Sequence, residues 1–220
     1  MIDLSRHGAV FVLAMQAGEN RFNRAFLDAL GRALDEVEAS SGPAGLVTVG
    51  TEKFYSNGLD LDWLMSSGAG PAFIGDFLAF FARVMALPLP TVAALNGHAF
   101  AGGAMFALTH DSRVMRADRG YFCLPEIDLG MPFAPGMQAL ISGKLDARTA
   151  SDLILSGRRI GGPEALALRV VDEAVPADEV LPRAIARAEA LAGKDRDIYG
   201  RLKRDLFGQA IELLASRAMP

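Results

Sequence analysis

Hydrophobic and polar positions along the first half of the chain switch between strand-length apolar runs and helical spacing. The apolar run over residues 9–15 predicts a buried strand, and the run over 46–49 predicts a second one. Between them, apolar side chains recur every three or four residues, as on one face of a helix. They are Phe26, Leu27, Leu30, Leu34 and Val37. Strand, helix and strand in this order predict parallel strands joined by a right-handed crossover.

The pattern continues towards the C-terminus. A helix is predicted over 71–87, and a strand over 91–95 follows the prolines that end it. Residues 125–136 contain three prolines and two glycines, which predicts irregular structure. The remaining chain is mostly helical in pattern. We therefore expect an α/β fold with a core over residues 1–136 and a helical region over 137–220.

Composition narrows the class of protein. Of the 220 residues, 51% are hydrophobic, and 22 basic against 26 acidic residues give a net charge of −4. Such a chain can bury a core, which excludes general disorder, and it lacks the basic surface that nucleic-acid binding needs. The single cysteine, Cys123, excludes an intramolecular disulfide, and no Cys or His spacing predicts a metal site.

The high apolar content does not predict a membrane span. The most apolar stretch, residues 77–95, is interrupted by Arg83, Pro88 and Pro90, so no uncharged run reaches about 20 residues. The N-terminus carries early charges and lacks the apolar region of a signal peptide. We expect a cytoplasmic protein with no membrane partner.

Two segments combine glycine with a strand end, where backbone amides are free to meet a ligand. In residues 54–61, Gly58 permits a positive φ that would aim the amide of Leu59 outwards. In residues 96–104, small residues open a helix, and the amide of Gly102 would lie at its positively polarised N-terminus. An ordinary Asn-Gly turn and a plain helix start are the simpler explanations of each segment taken alone.

A third segment, residues 124–130, places Glu126 and Asp128 among apolar neighbours. Burial disfavours the charged form of a carboxylate, so the pKa of either group would rise towards neutrality and the group could act as a base. A solvated loop carboxylate explains the same residues without any chemistry.

Taken together, these segments resemble the crotonase family, the enoyl-CoA hydratase/isomerase superfamily. Residues 54–61 and 96–105 are similar to its two oxyanion loops. Pro125-Glu126 is similar to its catalytic acid segment, and residues 157–172 to a downstream signature. The resemblance implies a spiral of ββα units and an acyl-CoA thioester substrate. It implies no cofactor, because coenzyme A belongs to the substrate.

The resemblance also implies roles for individual residues. The backbone amides of Leu59 and Gly102 would hold the thioester oxygen, and Glu126 would be the acid/base. Further substrate contacts would come from residues in and around the two loops: Lys53, Ser56, Asn57, Gly58, Asp60 and His98.

Position 105 bears on the type of reaction. Family hydratases carry a second glutamate where this chain has Met105, and methionine cannot transfer a proton. A double-bond shift needs only one base, so the resemblance favours a Δ3,Δ2-enoyl-CoA isomerase. The alternatives are a hydratase, a thioester hydrolase that uses Glu126 or Asp128, and a non-catalytic acyl-CoA-binding protein.

The resemblance implies a homotrimer, or a hexamer built from two trimers. Helices after residue 137 carry apolar faces that so little remaining chain is not expected to cover. These faces contain Leu140, Ile141, Leu145, Leu153, Ile154 and Leu155. The region 137–220 is therefore expected to serve trimerisation and to cover part of the site.

Two further expectations concern charged residues outside the three segments. Asp111 lies between a predicted helix and a predicted strand, which favours a buried, hydrogen-bonded position. Arg201, Lys203 and Arg204 are expected on a solvated helix face.

Overall fold

Nine β-strands form two sheets in the computed structural model, which describes residues 1–219. Six strands make the larger sheet: β1 (Ile2–His7), β2 (Val10–Met15), β3 (Gly45–Val49), β5 (Thr91–Leu95), β7 (Ser112–Arg116) and β9 (Glu173–Val175). Three make the smaller sheet: β4 (Phe54–Ser56), β6 (His98–Phe100) and β8 (Phe122–Cys123). The strands lie in these orders within each sheet, and every neighbouring pair is parallel except β1 and β2.

Ten α-helices and one 3-10 helix (Ala177–Glu179) complete the described part of the chain. The α-helices are α1 (Arg24–Ala39), α2 (Leu61–Ser67), α3 (Gly70–Ala86), α4 (Gly102–Thr109), α5 (Glu126–Leu129), α6 (Pro135–Lys144), α7 (Ala147–Ser156), α8 (Gly162–Ala167), α9 (Val180–Ala192) and α10 (Arg196–Ala215). Within residues 1–219, every helix falls short of the length or the apolar character that a membrane span needs.

Three consecutive units of the chain each place one strand in the larger sheet and the next strand in the smaller one. The pairs are β3 with β4, β5 with β6, and β7 with β8, and a helix follows each pair. Because the three strands of the smaller sheet are parallel neighbours, the segments that leave them emerge at the same end. This topology gathers the residues after Ser56, Phe100 and Cys123.

Each face of the larger sheet has its own core, because side chains alternate across a strand. On β3, Leu46 packs into the main core, which also holds apolar residues of α1, α3 and α4. The next residue, Val47, packs into a second cluster with Ala184 of α9. The region after residue 137 therefore contributes to this architecture, through α9 on one face and β9 at the edge.

Most elements of the N-terminal half follow the apolar pattern. The strand predicted over 9–15 and the helix after it are confirmed as β2 and α1. Strand β1 escaped prediction because none of its residues is buried and its apolar alternation is limited to Ile2 and Leu4. The irregular structure predicted over 125–136 is wrong where Glu126–Leu129 form α5, which ends at Gly130 in the left-handed conformation.

The apolar helix faces that were expected to need a partner subunit to cover them are largely covered by the chain itself. Leu140, Ile141 and Leu153 are completely buried, and Leu145 is nearly so. The expectation is wrong for these four residues, which lie in the main core of the same chain; α10 packs across α6, and α5 and α6 pack against α7. Leu155, which is 68% exposed, remains outside. The homotrimer stays a prediction that rests on the resemblance.

The solvated helix face predicted around residues 201–204 is wrong for Lys203. This side chain is buried, and its Nζ lies 3.0 Å from Oδ1 of Asp111. Asp111 also accepts hydrogen bonds from the Thr91 amide and the Tyr199 hydroxyl, which confirms its expected hydrogen-bonding position. Lys203 thus ties α10 to the larger sheet, since burial leaves its charge dependent on this partner.

Candidate active site

An apolar pocket of about 210 Å³ lies where the segments after β4, β6 and β8 meet. It is lined by Asn57, Leu59, Leu61, Leu64, Ile74, Phe77, Ala101, Gly102, Met105, Glu126, Leu129, Met131, Pro132, Phe133, Ala134, Met137 and Met219. Among these, Glu126 is the one ionisable side chain. The pocket could therefore hold a hydrocarbon group against a single acid/base.

The loop after β4 is shaped by a glycine and fastened at both ends. Gly58 has φ of +79°, a conformation that glycine adopts without strain. Its amide donates to the Ser56 hydroxyl over 3.3 Å, and its carbonyl accepts from the amide of Phe22. At the far end, Asp60 caps α2 by accepting from the Trp63 amide over 3.2 Å. These contacts fix the direction of the Leu59 amide between them.

The segment after β6 makes an abrupt turn into α4. Ala101 has φ of 49° and ψ of −122°, a conformation that is strained for a residue with a side chain. Gly103 lies so close to β4 that a methyl group there would overlap the Ser56 carbonyl oxygen. This close approach seats the start of α4 beside the Gly58 loop.

The backbone amides of Leu59 and Gly102 converge at the pocket wall. A methyl group built on Gly102 would lie 3.7 Å from the Leu59 nitrogen, and one built on Gly58 would lie 3.0 Å from the Gly102 nitrogen. Neither amide donates a hydrogen bond to another group within residues 1–219. Gly102 is the first residue of α4, so its amide has no partner inside that helix. Two adjacent free donors can bind one oxygen atom that carries negative charge.

Glu126 begins α5 and points into the same pocket. Its side chain is 7% exposed, and its buried Oε2 has no hydrogen-bond partner within the described chain. Burial raises the pKa of Glu126 to about 7, although a hydrogen bond from its own backbone opposes the shift. A carboxyl group with this pKa can both accept and return a proton near neutral pH.

Met105 lies one turn into α4 and lines the pocket with 2% of its surface exposed. Its thioether adds an apolar group, not an acid, to the pocket wall. Asp128, the other carboxylate weighed as a base, is exposed and is not part of the lining. Helix α5 directs Glu126 inwards and Asp128 outwards, because residues two apart lie on different sides of a helix.

The structure brings together four of the predicted site residues and leaves the others behind or outside the pocket. Asn57, Leu59, Gly102 and Glu126 line it. Ser56, Gly58 and Asp60 support the loop from behind, as described above.

Lys53 and His98 do not reach the lining. Lys53 is exposed, and His98 lies on the opposite side of β6 from the buried Ala99. The His98 ring packs against Phe54 and Tyr121, and burial lowers its pKa. A contact of Lys53 or His98 with another part of the substrate stays a prediction.

Sequence reasoning missed the positioning role of Asn20. This residue is fully buried with φ of 51°, and its side chain accepts from the Ala17 amide and donates to the Tyr55 carbonyl over 3.0 Å. Its carbonyl accepts from the Ser56 hydroxyl over 2.7 Å. Asn20 therefore anchors the Gly58 loop to the loop after β2. An asparagine that follows Gly-Glu after an apolar strand was the available signal.

No group of three or more His, Cys, Asp or Glu side chains within residues 1–219 is placed to hold a metal ion. The chemistry available in the pocket is that of one carboxyl group and two backbone amides.

Comparison with known proteins identifies the family of the chain. A sequence profile described as enoyl-CoA hydratase/isomerase matches residues 5–217. The chain belongs to the enoyl-CoA hydratase/isomerase family. Among its curated relatives, enoyl-CoA delta isomerase 3 of Arabidopsis thaliana is 34% identical over 97% of this chain and 95% of the relative. Enoyl-CoA delta isomerase 2, peroxisomal, of the same plant is 33% identical over the same shares.

Family members named as hydratases also match, with the probable enoyl-CoA hydratase echA8 of Mycobacterium tuberculosis 26% identical over all of this chain and 84% of its own length. Among solved structures, an apo enoyl-CoA isomerase of M. tuberculosis superposes with a TM-score of 0.90 at 24% identity, covering 98% of this chain and 95% of that one. The α/β crotonase fold expected from the sequence is therefore confirmed.

Proposed function

We propose that this family member is a Δ3,Δ2-enoyl-CoA isomerase. The observation that carries the proposal is that Glu126 is the one ionisable side chain among the pocket-lining residues of the described chain. Moving a double bond needs a single group that takes a proton from one carbon and returns it to another. Splitting water across a double bond calls for a second acid, and the candidate position holds the buried Met105.

In the proposed reaction, the acyl chain lies in the apolar pocket and the thioester oxygen accepts hydrogen bonds from the amides of Leu59 and Gly102. The Glu126 carboxylate removes a proton from C2, and the electron pair of that C–H bond delocalises onto the thioester oxygen as a dienolate. Both amides stabilise this oxyanion. Protonated Glu126 then delivers the proton to C4, so the double bond moves from C3–C4 to C2–C3.

The alternatives explain less of the site. Relatives named as hydratases share the family, but hydration leaves Met105 unexplained. A hydrolase that uses Asp128 conflicts with the exposed position of that side chain outside the lining. A protein that only binds acyl-CoA would need the apolar walls but not an unpaired carboxyl group.

Incubation of the purified protein with a 3-enoyl-CoA and, separately, with a 2-enoyl-CoA tests the proposal through the absorbance of the conjugated thioester. We expect the 3-enoyl-CoA to gain conjugation and the 2-enoyl-CoA to resist hydration. Glu126→Gln should lower the rate at least about 10³-fold and change substrate affinity only a few-fold, because it removes the proton acceptor and keeps the shape. Asp128→Asn is the matched control and should retain the wild-type rate. A Glu126→Gln variant with a tenth of the rate would place the base elsewhere.

The predicted assembly and compartment rest on other grounds. The homotrimer, with a hexamer of two trimers as the alternative, follows from the resemblance to the family. The cytoplasmic location stays a prediction, and one of the Arabidopsis relatives is named as peroxisomal. The mass of the particle in solution would test the first of these predictions.

A further inference from the structure

A chain of buried hydrogen bonds links β3, β4 and α4. The Tyr55 hydroxyl on β4 lies 2.8 Å from Oγ1 of Thr48 on β3, and this oxygen lies 2.9 Å from Nε2 of His110. His110 follows the last residue of α4, and its Nδ1 lies 3.0 Å from the carbonyl oxygen of Phe106 in that helix. Tyr55, Thr48 and His110 are at most 1% exposed. The chain of bonds therefore joins β4 to the C-terminal end of α4 through the larger sheet.

The direction of each hydrogen bond follows from the chemistry of the groups. A carbonyl oxygen only accepts, so Nδ1 of His110 donates to Phe106. The Thr109 hydroxyl, 3.3 Å from Nδ1, donates to the same carbonyl and leaves this assignment unchanged. Burial lowers the pKa of His110 to about 3, so the ring is neutral near pH 7 and its Nε2 accepts. Thr48 consequently donates to His110 and accepts from the Tyr55 hydroxyl.

The two ends of this chain of bonds lead to the two amides of the proposed oxyanion hole. Tyr55 directly precedes Ser56 on β4. The Ser56 hydroxyl accepts from the Gly58 amide and so shapes the loop that contains Leu59. At the other end, α4 begins at Gly102, whose amide is the second donor. The distance between the two amides therefore depends on where α4 lies relative to β4.

Close packing alone does not fix the position of α4 along its own axis. The contact of Gly103 with the Ser56 carbonyl limits how closely the helix approaches β4, but it does not stop the helix from sliding. Every turn of a helix is hydrogen-bonded, so a shift at its C-terminal end is passed on to its first residue. The directional bonds of the His110 ring resist such a shift. Arg113 and Lys144 also bond the His110 carbonyl, but they attach it to β7 and α6 and not to β4.

We propose that His110 is a positioning residue for the oxyanion hole. Through the chain of hydrogen bonds it keeps the amide of Gly102 beside the amide of Leu59. This inference rests on the proposed isomerase reaction, in which both amides bind one oxygen. The negative charge on that oxygen is greatest in the transition state, so a displaced amide lowers kcat more than it weakens substrate binding. A purely structural role would instead lower stability and leave kcat unchanged.

Thr48→Val tests the proposal, because it keeps the shape of residue 48 and breaks both hydrogen bonds of its hydroxyl. We expect kcat for a 3-enoyl-CoA to fall about tenfold and KM to stay within about twofold, since a displaced oxyanion donor costs less than a missing one. Thr48→Ser restores the hydroxyl and should recover most of the rate. Thr149→Val is the matched control, because its buried hydroxyl donates to Asp146 on another part of the chain, and it should keep the wild-type kcat. A Thr48→Val variant that is less stable but has the wild-type kcat would overturn the proposal.

The infrared band of a bound thioester carbonyl gives a second readout that needs no turnover. Hydrogen bonds from the two amides lower the stretching frequency of this carbonyl, which ¹³C-labelled butyryl-CoA makes visible. Thr48→Val and Tyr55→Phe should each raise the frequency above the wild-type value, whereas Thr149→Val should not. Tyr55→Phe keeps the ring that stacks on Phe106, so it carries the test if Thr48→Val does not fold. An unchanged frequency in Tyr55→Phe and Thr48→Val would refute the positioning role.

Nitrogen NMR on histidine-labelled protein checks the direction of the hydrogen bonds. Of the three histidines, His110 should carry its proton on Nδ1 and stay neutral at pH 6, and its signals should be the ones that move in Thr48→Val. A proton on Nε2, or a charged ring at pH 6, would overturn the proposal. If the wild type does not turn over a 3-enoyl-CoA, the proposed isomerase activity fails, and the infrared and NMR measurements still test the role of His110.

Discussion

Replacing Glu126 by glutamine is expected to stabilise the folded chain at alkaline pH while it removes the proposed base. The carboxyl group is 7% exposed and its Oε2 has no partner within residues 1–219, so ionisation leaves an unpaired charge in an apolar pocket. Glutamine has nearly the same shape and carries no charge. The variant should therefore lack a destabilisation that the wild type acquires when Glu126 ionises.

The size of this destabilisation follows from the difference between the pKa of Glu126 in the folded chain and in the unfolded chain. Burial raises the pKa of Glu126 from its ordinary 4.5 to about 7, so between these values the folded chain holds a proton that the unfolded chain has released. The free energy of unfolding of the wild type consequently falls as the pH rises through this window. The interval between the two pKa values corresponds to about 3 kcal/mol. This destabilisation is complete above the higher pKa and absent below the lower one.

Urea denaturation at pH 5 and pH 8, followed by the fluorescence of the single tryptophan at a fixed protein concentration, measures the effect. Subtracting the wild-type value from that of Glu126→Gln removes the pH dependence common to both chains. We expect the difference to grow by about 2.5 kcal/mol between the two pH values, in favour of the variant, because a small part of the effect is already present at pH 5. Glu36→Gln, at an exposed position on α1, should show no such growth. A constant difference for Glu126→Gln would refute the raised pKa.

Two further substitutions test the packing that positions the site. Gly103→Ala should lower the free energy of unfolding by about 1–3 kcal/mol and impair turnover, because its methyl group meets the Ser56 carbonyl. The control is Gly31→Ala, in open space on α1, which should instead raise the free energy of unfolding by up to about 1 kcal/mol. Lys203→Met should cost about 3 kcal/mol because Asp111 loses its cation, whereas the exposed Lys194→Met should cost almost nothing. Chemical denaturation measures each, and equal effects for a variant and its control would contradict the reasoning.

The loops of the site were predictable because glycine marks them. Gly58 requires a conformation that few other residues adopt, and Gly102 opens a helix directly after a strand, so both amides could be located from local rules. The environment of Glu126 could not be located in this way. Its surroundings include residues far from it in the sequence, such as Ile74 and Phe77, which line the same pocket. From the apolar pattern around them, Glu126 and Asp128 were equally good candidates for the base. The tertiary structure buries Glu126 and leaves Asp128 exposed.

Helix α10 shows a different kind of failure. The buried residues of α10 follow helical spacing: Gly200, Lys203, Ala210 and Leu214. Apart from Lys203, they are small or apolar. Leu202 and Leu206, by contrast, are 55% and 74% exposed. Phe207 and Ile211 of the same helix are partly buried against the main core, so the size of the apolar residues alone does not distinguish the inward face from the outward one.

Several features around the pocket lower the stability of the folded chain on its own. Buried polar groups are normally hydrogen-bonded, yet Glu126 has an unpartnered oxygen and two neighbouring amides have no acceptor within residues 1–219. Ala101 adds a strained backbone at the same wall. A bound enoyl thioester would supply an oxygen acceptor for both amides, which gains negative charge in the enolate, and a C2–H group from which the carboxylate can take a proton. Binding of an acyl chain alone would need only the apolar walls. The coincidence of these unsatisfied groups around one cavity therefore argues for catalysis over simple binding.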